Sequence, residues 1–273
     1  MWVSWVAGLV GALVLMQPGE ENRIASQSRA KAIVERAIKA HGGDARLQRA
    51  RNVHLKLRAK AIVPGDEDAP FDLEIVAQLP DRYRSVLTTT IQGVPVVRTV
   101  VVNGRQGWIS LNGEVKPLAE KDLKEAQEQM YAEWLCRLLP LRDPDFELRE
   151  MEEDKIQDRW VQVVNVVRKG CRDVNLYFDK QTGLLVKMEH TVLDAQSVKT
   201  SQEVVFAGYR DTNGPKHWTR VVVSNGGKRL FEAEAVEVRF PERLDERLFQ
   251  KPLEIKPPGS DKSPQGAAMP MGK

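Results

Sequence analysis

Asn52-Val53-His54-Leu55-Lys56-Leu57-Arg58-Ala59-Lys60-Ala61-Ile62-Val63 is the stretch that decides the fold class. Val53, Leu55, Leu57, Ala59 and Ala61 fall on one parity, and His54, Lys56, Arg58 and Lys60 on the other. Successive side chains of a strand point to opposite faces, so this alternation predicts a β-strand with one buried and one wet face, as antiparallel sheets have. The same period continues in Phe71, Leu73, Ile75, Ala77 and Leu79 against Asp72, Glu74 and Gln78, then over 83–91 and 94–102. No helical spacing separates these runs, so strand follows strand.

Turn chemistry agrees. Asn103-Gly104, Asn112-Gly113, Asn213-Gly214 and Asn225-Gly226-Gly227 supply the residues that accept the positive φ of tight hairpins. Further strands are expected over 146–152, 160–167, 174–178, 184–192, 198–207, 217–223 and 230–240. In the last, the apolar phase moves from Phe231, Ala233 and Ala235 to Val236, Val238 and Phe240, the mark of a β-bulge. The acidic runs Asp66-Glu67-Asp68 and Glu152-Glu153-Asp154 read as solvated turns. The total, about 11–12 strands, exceeds what a flat open sheet carries without curling. The fold class is therefore mainly β, one strongly curved antiparallel sheet.

Two segments switch to helical spacing. Over 28–40, Ala30, Ile33, Val34, Ala37 and Ile38 recur at i, i+3, i+4, i+7 and i+8, and His41-Gly42-Gly43 stops the helix. Over 120–139, Leu123, Ala126, Met130, Tyr131, Trp134, Leu135, Leu138 and Leu139 form a wide apolar stripe, with Pro140 closing it. Both stripes must bury themselves, and the concave face of the sheet is the large surface on offer. A curved sheet capped in this way closes as a packed core or encloses an apolar cavity, and the pattern suits both.

The remaining composition bounds function. In 273 residues, 42% are hydrophobic and 29% charged, and 41 Lys plus Arg against 38 Asp plus Glu leave a net charge of +3. The basic groups are dispersed, so no nucleic-acid footprint is expected. Residues 1–16, MWVSWVAGLVGALVLM, carry no charge and are short for a bilayer core, which predicts an export signal or an uncleaved N-terminal anchor. The expected organisation is a signal or anchor segment with linker over 1–27, one domain over 28–252, and a disordered Pro-rich tail over 253–273. Sequence motifs for nucleophilic, zinc or nucleotide chemistry are lacking. His41, His54, His190 and His217 lie far apart, and His190 reads as an inward, satisfied side chain. No metal, no cofactor and no catalytic residue are expected. Cys136 and Cys171 allow at most one bridge, and spacing alone leaves their pairing open.

Three segments together resemble the outer-membrane lipoprotein-sorting proteins, the LolA/LolB-like superfamily. They are Ala40-His41-Gly42-Gly43 after the first helix, Tyr177-Phe178-Asp179-Lys180-Gln181-Thr182-Gly183-Leu184-Leu185-Val186-Lys187, and Leu244-Asp245-Glu246-Arg247-Leu248-Phe249-Gln250-Lys251-Pro252. Element order matches as well, over about 31–252. The resemblance implies an incomplete β-barrel whose central helix is a lid over a cavity for acyl chains, with no covalent chemistry. It implies an extracytoplasmic carrier of lipid or lipoprotein acyl chains, monomeric, with envelope membrane proteins as partners. The lipid contacts expected are Leu123, Met130, Tyr131, Trp134 and Leu138 on the helix and Leu57, Ala59, Leu73, Ile75 and Leu87 on the sheet. The alternative is an envelope protein-binding or scaffold module without lipid cargo.

Overall fold

The computed structural model describes residues 18–63, 66–194, 196–211 and 214–255. Helix α1 spans Pro18–Ala40, α2 Asp44–Arg49 and α3 Glu120–Leu135. The strands before α3 are β1 Asn52–Val63, β2 Asp66–Gln78, β3 Arg82–Ile91, β4 Val94–Asn103, β5 Gln106–Leu111 and β6 Glu114–Pro117. After α3 come β7 Glu147–Glu150, β8 Asp154–Ile156, β9 Arg159–Val167, β10 Val174–Asp179, β11 Leu185–Leu193, β12 Lys199–Ala207, β13 Arg220–Asn225 and β14 Lys228–Arg239.

All belong to one antiparallel sheet in the order β6-β5-β4-β3-β2-β1-β14-β13-β12-β11-β10-β9-β7, with β8 paired to β9. The first and last long strands meet in its middle. Among the described residues the edges β6 and β7 do not pair, so the sheet is an open, incomplete barrel. The described residues form 14 strands, two more than the upper expectation, because the short β6 and β8 lack enough alternation to be read. The bulge falls where the phase shift put it: Lys56 pairs with Glu237 but Leu57 with Ala235, which leaves Val236 as the extra residue, 63% exposed. Leu55 then faces Val238, and both remain turned to the concave side.

Several boundaries differ from expectation. Helix α1 begins at Pro18, ten residues before the periodic stretch, since Pro suits a first helical turn and the polar residues after it need no buried face. Its end is as read: the Gly43 N–H bonds the Ile38 carbonyl at 2.9 Å, with Gly42 at φ +109. The acidic run at 66–68 opens β2 rather than forming a turn. Helix α3 stops at Leu135, before Pro140; Leu138 takes φ +67 and Pro140 enters a 3-10 turn over Leu139–Arg142. His217 makes only a single bridge to Arg210, and β13 starts at Arg220. Asn213, residues 1–17 and the tail from 256 lie outside the described residues, while Ile255 bonds the Gly113 carbonyl at 3.1 Å. Cys136 and Cys171 are free thiols.

The main core lies on the concave face, where α1 packs against β7, β9 and β10. Ile33, Val34, Ala37 and Ile38 of α1 are buried in the same cluster as Leu148, Val164, Val166, Leu176 and Phe178 of β7, β9 and β10. Each large aliphatic contributes about 1.5–3 kcal/mol by burial. Helix α3 touches both β4 and β11, and so bridges the two limbs of the curve.

Candidate functional site

Where α3 bridges the limbs, the concave face keeps a cavity of about 970 Å³. Leu55 and Leu57 of β1, Leu73 and Ile75 of β2 and Val100 of β4 line one side; Met188, Val204, Phe206, Val221 and Val223 of β11–β13 line the other. The volume falls in the ~300–1,000 Å³ range of small-molecule sites. Continuous alternation along these strands puts an apolar residue at nearly every inward position, and the walls follow from that.

Of the sheet residues expected at the site, Leu57, Leu73 and Ile75 line this cavity. Ala59 is buried in the main core, and Leu87 is half-buried opposite Leu73 in the β2–β3 pair; neither forms wall. The helix residues do other work. Met130 packs with Val100 and Val102, and Leu123 joins the same cluster, approaching Gly107 so closely that a Cβ there would lie 2.9 Å from it. Tyr131 stacks on Phe146 at 6.4 Å and Trp134 meets Phe146 at 5.9 Å, while Leu138 is fully buried in the main core. The wide stripe is divided between two clusters, one on each limb.

The face of α3 toward the cavity is instead Asp122, Glu125, Ala126, Gln129 and Glu133, followed by Cys136 and Arg137. These polar positions recur at helical spacing, a signal visible in the sequence and indistinguishable there from an ordinary solvated face. Glu125 fastens the helix. It accepts two bonds from the Arg172 guanidinium, at 2.8 and 2.7 Å, and one from the Leu193 N–H at 2.9 Å. The Arg172 bond holds the Glu125 carboxyl below its usual range despite burial. Burial acts the other way on Glu133 and raises its pKa, against a long 3.4 Å bond from Gln129. It also pushes the Cys136 thiol up to about 12, with Sγ 3.3 Å from Met188 Sδ, so this thiol packs rather than reacts. Among the described residues, no cluster of His, Cys, Asp and Glu is arranged to hold a metal, and no helix is long and apolar enough to cross a membrane.

His41 and His190, both nearly fully buried, give the protein a pH dependence. Burial lowers the pKa of His41 more than its Nδ1 contact to the Ala37 carbonyl, at 2.8 Å, raises it. Burial likewise lowers His190 against its Gln202 partner. The unfolded chain, with histidine near ~6.5, therefore binds more protons below that pH than the folded one. Stability is expected to be full above about pH 6.5 and to fall as pH drops toward the folded values, by at most about 1.4 kcal/mol per pH unit per histidine. Urea midpoints at pH 7.5 and 5.5 measure this, and a His41→Asn variant should show a shallower fall; equal slopes would refute the assignment.

No known family profile matches the chain, and no curated protein matches it in sequence. Solved structures do match. A LolA superfamily protein of Nitrosomonas europaea aligns at 11% identity over 81% of this chain and 97% of its own, with a TM-score of 0.52. An outer membrane lipoprotein-sorting protein domain of Vibrio parahaemolyticus aligns at 14% over 81% and 97%, TM-score 0.48. A DUF1329 family protein of Desulfovibrio piger aligns at 10% over the same shares, TM-score 0.47. At such identity the likeness speaks for the fold alone, and with the open 14-stranded sheet and its bridging helix it makes this a LolA-like fold.

Proposed function

We propose that the protein is an extracytoplasmic carrier or sensor that takes acyl chains of lipids or lipoproteins into the cavity beneath α3, by non-covalent burial without cofactor or catalysis. The observation that carries this reading is the cavity of about 970 Å³ left between the apolar inner face of the sheet and the polar face of α3. Each methylene moved from water into such a void gains about 0.8 kcal/mol, so a long chain supplies its own driving force. Leu57, Leu73 and Ile75 are the wall residues assigned to the chain. Residues 1–16 would bring the domain to the envelope or hold it at the membrane.

The test is mass spectrometry of organic extracts from protein purified from its native envelope fraction, beside a mock purification. Acylated species near one per protein are expected. A clean extract, with no uptake of a fluorescent fatty acid, would refute the reading and favour the second one, an envelope protein-binding module. That alternative has its own support in the exposed Ile62, Ile91, Val94, Leu111, Val198 and Leu230, which sit at the hairpin ends on one rim of the sheet.

A further inference from the structure

Arg137 follows α3 at a partition. With Leu47 and Ala50 it forms the wall shared by the apolar cavity and a second pocket of about 860 Å³. Two other guanidiniums of that pocket are engaged: Arg82 with Glu246 at 3.5 Å, and Arg142 with Glu35 at 2.7 Å and with Asp44. Arg137, unlike the exposed Arg51 of the same pocket, is partly buried and also lines the apolar-walled cavity. Among the described residues its guanidinium makes no hydrogen bond and no ion pair within 4.0 Å.

Arg137 is partly buried, so its five N–H donors face a cavity wall with water as their partner, and a charged acceptor arriving there would replace that water. Two local features lessen the charge without meeting the donors. The C-terminal end of α3 carries partial negative charge, and Glu133 lies one turn earlier on the same face. Glu133 takes a long 3.4 Å bond from Gln129 and makes no ion pair with Arg137 within 4.0 Å, although its charge still favours the cation. Burial disfavours the Arg137 cation as well, which an incoming anion would reverse.

From this partition we infer that the ligand is an acyl chain ending in an oxyanion, carboxylate or phosphate, with its head on the Arg137 guanidinium and its chain in the apolar cavity. The inference rests on the acyl-carrier reading and adds to it the charge of the cargo. An arginine presents a planar fork to such a head, and a charge-assisted pair is stronger away from bulk water.

The experiment titrates the full-length protein with cis-parinaric acid and with its methyl ester, which share a chain and differ in charge. Preference for the acid by about tenfold is expected in the wild type, falling to near one in Arg137→Gln and partly restored in Arg137→Lys. Melting curves of both variants confirm folding, and Glu133→Gln, which removes the competing carboxylate, should widen the preference. Displacement by laurate and by lauroyl lysophosphatidylglycerol ranks the carboxylate and phosphate heads. Equal binding of acid and ester by the wild type overturns the oxyanion head and leaves the carrier reading standing. Binding of neither probe overturns the carrier reading and this inference with it.

Discussion

Leu73→Trp is expected to weaken fatty-acid probe binding by about 100-fold while leaving the melting temperature unchanged or raised. Leu73 sits on β2 between Leu57 of β1 and Leu87 of β3, with its side chain on the cavity wall. An indole there grows into space that no other side chain holds, so overpacking is avoided and added apolar contact offsets the lost flexibility. Tryptophan also suits a strand. Excluding about four methylenes of a bound chain removes ~3 kcal/mol, which is the two decades expected. Parinaric acid titration beside thermal denaturation reads both quantities, and Thr88→Trp, on the exposed opposite face of β3, is the control. Unchanged probe affinity in a folded Leu73→Trp protein would place the ligand elsewhere.

The contrast between Leu73 and Met130 shows what was legible in the chain. Strand parity is a local property: a residue that alternates with Asp72 and Glu74 must face the core side of its own sheet, whatever else the protein does. Leu57, Leu73 and Ile75 could thus be assigned to the concave face from their neighbours alone, although the same parity also picked Ala59 and Leu87, which line no cavity, and even the bulge at Val236 was written in the phase of β14. Helix orientation is not local. The stripe of α3 says which side chains must be buried, but not that one part packs on β4 and the other on Phe146, so that the polar side becomes the roof. Arg137 was missed for the same reason, since only the folded chain shows that it borders both the cavity and a second, polar pocket. Helix α2 and strands β6 and β8, at six, four and three residues, are too short for any period to register.

The largest expected loss of stability from a single polar group is at Asp179, and its cause can be separated from charge alone. Asp179 is 2% exposed at the end of β10. Its Oδ1 accepts from the Gln181 N–H at 3.0 Å, the Thr182 N–H at 2.7 Å and the Thr182 hydroxyl at 2.8 Å, closing the hairpin into β11. Gly183 follows at φ +75 with the end of α1 against it, where a Cβ would lie 3.3 Å from that of Ala40. The turn is therefore both a hairpin and the seat of a helix. Asp179→Ala leaves these donors without an acceptor in a buried site, a loss of about 2–4 kcal/mol. Asp179→Asn, which keeps one acceptor oxygen, should lose distinctly less. The pH dependence supplies the second check. Burial by itself would raise the Asp179 pKa, but the Thr182 and Gln181 bonds, with Arg159 at 3.8 Å, outweigh it and bring it below the ordinary value. A lowered folded pKa means that the stabilisation is full above the unfolded value, ~3.9, and disappears as pH falls through the folded one. The gap between wild type and Asp179→Ala in urea denaturation should be widest near pH 7 and narrow below about pH 4. A gap that stays constant down to pH 2.5 would mean that backbone geometry, and not the ionised carboxylate, holds the turn.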